Sequence, residues 1–76
     1  MREMMPHEIE AAAGEILSYL DIHGDAPIFT MKDALGKPEF YFYMGLGELI
    51  LRRQIGIRES RGIFWTTRRH ETARVT

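Results

Sequence analysis

The 76-residue sequence predicts an α+β fold: three helices and then a two-stranded β-hairpin, in the order α-β-α-α-β-β. Three observations carry that expectation. Between Leu35 and Ile55, Phe42, Leu46, Leu49 and Ile50 recur at helical spacing, and Phe40, Met44, Gly47 and Leu51 form a second apolar stripe roughly opposite. Upstream, Ile9, Ala12, Ala13, Ile16, Leu17 and Leu20 keep the same period. After Ile55 the period drops to two, as a strand pair requires.

The elements follow in order. Pro6 suits the first position of a helix, and Glu8 and Glu10 complement its positive N-terminal dipole. Gly24 is suited to closing that helix in a left-handed conformation, with His23 in its last turn. Gly14 inside it costs about 1 kcal/mol relative to alanine, which points to a close approach by another backbone. Asp25-Ala26-Pro27 reads as a turn, and Ile28-Phe29 as one bridge of β structure. Thr30 to Asp33 resembles a capping box that starts a short helix, turning Met31, Ala34 and Leu35 inward and ending at Gly36. Lys37-Pro38 is a tight connection into the long third helix, which fades through Arg52, Arg53 and Gln54. Ser60-Arg61-Gly62 then reads as a three-residue hairpin loop, which sets Ile57 opposite Trp65 and Ile55 opposite Thr67 on the core face. In that register Arg58 meets Phe64 on the outer face, and Trp65 belongs to the core. Residues 1–67 make one domain, and 68–76 a basic, frayed tail.

Bulk properties exclude more than they specify. So short a chain buries only about 60–65% of its unfolded surface, so the monomer is marginal and gains from association. With no cysteine there is no disulfide, thiolate nucleophile or zinc site. The first residues are too polar for a signal peptide and no apolar run approaches about 18 residues, so a cytoplasmic protein away from the membrane is expected. The net charge of -1 conceals a split, with -6 over residues 1–50 and +5 over residues 51–76. That split points to an anionic partner for the C-terminal part, to association between unlike ends, or to chance clustering on a solvated surface. Catalysis is not expected. His7, His23 and His70 lack metal-ligand spacing, no Ser or Thr has a recognisable base nearby, and Gly45-Leu46-Gly47 falls mid-helix, not in a phosphate loop. No metal, cofactor or small-molecule ligand is implied.

This order of elements resembles a winged helix-turn-helix domain, and Leu35-Gly36, Phe42, Leu46, Leu49 and Ile55 are similar to its second and third helices and first wing strand. Closer still is the similarity to a small bacterial winged helix-turn-helix family of unknown function. Ala13-Gly14 before Ile16, Tyr43, Leu46-Gly47 and Leu49, and Gln54-Ile55 stand where that family has its motifs, over residues 7–67. The sequence departs from it at Pro38, Gly45 and Glu48, which replace a capping serine, another small residue and a tryptophan. The resemblance implies a compact, dimeric winged helix with DNA binding by analogy.

The residues modify that expectation. The face of the third helix that would enter a major groove holds Glu39, Phe40, Tyr41, Tyr43, Met44, Gly47, Glu48 and Leu51. It offers two acids and no base-reading cation or amide. Contacts to DNA are therefore expected from Arg58 and Arg61 on the wing and Arg68 and Arg69 behind it, to the phosphates of duplex DNA, weakly and without sequence preference. Phe40, Tyr41, Tyr43, Met44, Gly47 and Leu51 instead suit a homodimer interface. The expected function is a non-catalytic, regulator-like module acting as a homodimer. The alternative is a pure protein-interaction module with no DNA role.

Overall fold

The computed structural model describes residues 6–69; the frayed tail and His70 expected beyond them, like Met1–Met5, lie outside the described residues. The fold is α+β, with helices α1 (Pro6–His23), α2 (Ile28–Leu35) and α3 (Glu39–Leu51), and strands β1 (Ala26–Pro27), β2 (Ile55–Ser60) and β3 (Ile63–Arg68). The strands form one antiparallel sheet in the order β1-β3-β2, so the expected hairpin gains a third, two-residue strand in a winged-helix layout.

One core joins the two layers. Ala13, Ile16 and Leu20 of α1 meet Met31 of α2, Phe42, Leu46 and Leu49 of α3, and Ala26 and Ile55 of the sheet. Each large apolar side chain buried this way contributes about 1.5–3 kcal/mol. The first helix and the stripe Phe42, Leu46 and Leu49 therefore pack as expected, but Ile50 does not and stays 41% exposed. Gly45 is buried in its stead, because α1 lies directly over it. A Cβ at Gly45 would stand 2.9 Å from the Ala13 nitrogen and 3.1 Å from the Ala12 Cβ. Gly14, expected to be the point of close approach, faces solvent with nothing within 4 Å of where its Cβ would be. The close approach on α1 falls at Ala12 and Ala13, two and one residues before Gly14 and on another face of the helix.

The connection before α2 also differs. The bridge forms at Ala26 and Pro27, which pair with Thr66 and Trp65, and Ile28 already begins the helix. Pro27 is the N-cap, with extended angles and no side-chain bond, so Thr30 and Asp33 form no capping box at the start of the helix. Proline tolerates this place because an edge strand can do without its N–H. With the helix starting three residues early, Ile28, Met31 and Leu35 turn inward and Ala34 is left exposed. Gly36 closes α2 in the left-handed conformation, as expected.

The hairpin is tighter than its sequence suggests. Ser60 pairs with Ile63, leaving the two-residue loop Arg61-Gly62 with φ of 56° and 80°. Two successive positive φ values make the turn whose twist matches a right-twisted strand pair. The register therefore moves by one residue: Ile57 opposes Thr66, Arg58 opposes Trp65, and Ile55 opposes Arg68. A one-residue slip exchanges the faces of a strand. Thr66 is accordingly the buried residue of β3, whereas Trp65, expected in the core, lies half-buried on the outer face.

Candidate protein and nucleic-acid interfaces

The third helix presents its second apolar stripe to solvent. Phe40 is 52% exposed, Met44 41% and Leu51 83%, and the space above Gly47 is open. The two tyrosines flank this stripe on opposite sides. Tyr41 makes an edge contact with Phe40 at 5.5 Å and lines a shallow groove with Glu8, Ala11, Lys37 and Pro38. Tyr43 meets Phe42 edge-on at 5.1 Å and leads to a groove of about 410 Å3 between the helices and the wing. Phe29, Ile63 and Phe64 line that groove with Tyr43 and are themselves exposed. None of these three was expected at an interface from the sequence. Phe29 is displaced outward by the early start of α2, and Phe64 changes face with the hairpin register. Exposed apolar patches of this kind occur at docking surfaces, ligand grooves and aggregation-prone faces.

The arginines divide into two kinds. Arg68 is half-buried and occupied within the molecule. Its Nε donates to Asp21 Oδ1 at 3.1 Å, and its Nη1 donates to the carbonyls of Gln54 and Arg69 at 3.1 and 3.0 Å. It ties the end of α1 to the base of the hairpin, and so belongs to the domain, not to the basic tail expected from position 68. Arg58, Arg61 and Arg69 are exposed. Arg58 reaches Asp25 Oδ2 only at 3.5 Å, a surface pair of the kind worth about 0–1 kcal/mol. Arg61 occupies the hairpin turn, and the Arg69 side chain lies across Gly56.

The charge split thus has an internal explanation beside the expected ones. Asp21 and Asp25, at the end of the acidic half, face Arg68 and Arg58 of the basic half within one chain. His23, in the last turn of α1, stacks on Tyr19 with ring centroids 4.3 Å apart. Among the described residues no three of His, Cys, Asp and Glu gather as a metal site, and no helix is long and apolar enough to cross a membrane.

The chain matches no protein-family model, no curated protein and no solved structure.

Proposed function

We propose that this chain is a non-catalytic module of the winged helix-turn-helix kind that self-associates through α3 and touches nucleic acid through the arginines of its wing. One observation carries the reading. The helix face that would enter a DNA groove exposes Phe40, Met44 and Leu51 around Gly47, while cations sit apart on the hairpin. Glu39 and Glu48 beside that stripe pair with Lys32 at 3.3 Å and Arg52 at 2.7 Å, which occupies those two cations, and aromatic and methionine side chains are enriched in interface cores. A second copy supplies the apolar area that so small a core lacks. Of the four arginines expected to contact phosphate, Arg58, Arg61 and Arg69 remain for that role, because Arg68 is engaged internally. Membership of the small bacterial family that the sequence resembles is part of the same proposal.

Sedimentation at tens of micromolar tests it. About twice the monomer mass is expected, and Met44→Glu should return the protein to monomer. A wild type still monomeric at millimolar concentration removes the dimer from the reading. The reading as a pure protein-interaction module draws support from the aromatic groove beside Tyr43, which continues the apolar face toward the wing. Titration with random-sequence duplex DNA at several salt concentrations separates the two, because phosphate contacts give a steep salt slope and a pure protein module gives no binding.

A further inference from the structure

The tight turn that buries Thr66 leaves Trp65 on the face of the sheet turned away from the helices. There it stands in the central strand, opposite Arg58 on β2 and Pro27 on β1. Two positions along β2, the Arg69 side chain lies flat over Gly56, its Cδ 3.3 Å from where a Cβ would be. At the other end Arg61 occupies the turn, exposed. Residues 56 to 61 span about 17 Å at about 3.4 Å per residue, so one strip carries three arginines and one aromatic ring. Asp25 pairs with Arg58 at 3.5 Å, and Asp25 and Glu59 line one pocket with Arg58 and Trp65.

A sheet face that combines spaced cations with an aromatic ring suits one ligand chemistry in particular. Single-stranded nucleic acid supplies phosphates for the arginines and an open base face for the ring. A duplex keeps its base faces inside the stack and gives Trp65 nothing to cover. We propose that the outer face of this sheet binds single-stranded nucleic acid, with Trp65 stacking on one base and Arg58, Arg61 and Arg69 along the backbone. This rests on the reading that wing arginines contact phosphate, and it names the ligand and the ring that reading leaves out. No residue of the α3 stripe lines the pocket at Arg58 and Trp65, so that stripe stays available to a second copy.

Trp65 is the sole tryptophan, so its emission reports this face alone. The whole protein is titrated with a short oligothymidylate and with a duplex of the same length. Saturable quenching of Trp65 by the single strand is expected, with an affinity that falls as salt rises and at least about tenfold weaker binding of the duplex. Trp65→Leu should weaken single-strand binding about tenfold or more, and Trp65→Phe, which keeps a ring, should retain most of it. Arg58→Ala and Arg69→Ala should each lower the salt slope by about 0.7. Single-strand binding that leaves Trp65 emission unchanged overturns the proposal. Duplex binding as tight as single-strand binding overturns it too, and leaves the phosphate-contact reading standing. Absence of both kinds of binding removes the two together. Equal quenching by polyglutamate overturns it in favour of an acidic peptide site.

Discussion

Gly45 of α3 lies so close to Ala13 of α1 that a Cβ on the glycine would stand 2.9 Å from the Ala13 nitrogen. Backbone atoms cannot yield as a flexible side chain can, so the helices must part to admit a methyl group. Overpacking of this kind costs about 1–3 kcal/mol, partly offset by about 1 kcal/mol of better helix propensity. Gly45→Ala should therefore lower stability in chemical denaturation. Gly14→Ala, which adds a methyl group in open solvent on the same pair of helices, should raise it by about 1 kcal/mol. The opposite ranking would move the crossing point back to Gly14.

Thr66 is fully buried, and among the described residues no protein group bonds its hydroxyl. A buried hydroxyl without a partner costs about 1–3 kcal/mol. Thr66→Val keeps the shape and removes that cost, so its melting temperature should rise by about 4–8 °C per kcal/mol recovered. Thr66→Ser, which keeps the hydroxyl and loses the methyl group, should melt lower than wild type. A lower melting temperature for the valine variant would mean the hydroxyl is bonded after all.

Two arginines occupy left-handed backbone that favours glycine. Arg53 has φ of 61°, and its N–H donates to the Ile50 carbonyl while the Gln54 N–H donates to Leu49, which is the double bond of a Schellman ending. Arg61 holds the first place of the hairpin turn, where asparagine or glycine is favoured. Arg53→Gly and Arg61→Asn should each stabilise by roughly 0.5–1 kcal/mol. Equilibrium urea midpoints decide it, and a fall in midpoint for either variant contradicts the turn geometry at that residue.

The two kinds of arginine should separate in experiment. Arg68→Ala loses bonds to Asp21 and to the Gln54 and Arg69 carbonyls, and should destabilise by about 1–3 kcal/mol. Arg58→Ala with Arg61→Ala should leave the melting temperature nearly unchanged and weaken any nucleic-acid binding similarly on all sequences. Tyr41→Ala and Tyr43→Ala should leave that binding unaltered once folding is accounted for. Loss of sequence discrimination in the tyrosine variants alone would restore base reading to α3.

The proposed self-association through α3 would make stability depend on concentration, because partner binding adds to the folded state only. The melting temperature of the wild type should climb as protein concentration rises, and that of Met44→Glu should not. Parallel behaviour of the two would place the interface elsewhere.

The helices were legible because their signals are local. A period of 3.6 in Ile9 to Leu20 and in Phe42 to Leu49, a proline at one end and a glycine near the other are properties of neighbouring residues. The same locality gave the second apolar stripe of α3 and left its exposure open, since a stripe reads alike whether it is covered or bare. The strand register was not local. Ile63, Phe64 and Trp65 are apolar on both faces, so alternation alone cannot choose which of Trp65 and Thr66 turns inward. The two-residue turn and the docking of Ala26 on Thr66 made that choice, and with it the side on which Arg58 lies. Gly45 rather than Gly14, and Arg68 as a tie rather than a free cation, were likewise decided by what packs against them. Sequence alone determined the three helices and the hairpin, though not that the bridge falls at Ala26–Pro27 with Ile28 already helical; only the tertiary contacts decided which faces meet, because a face has no identity until another surface lies on it.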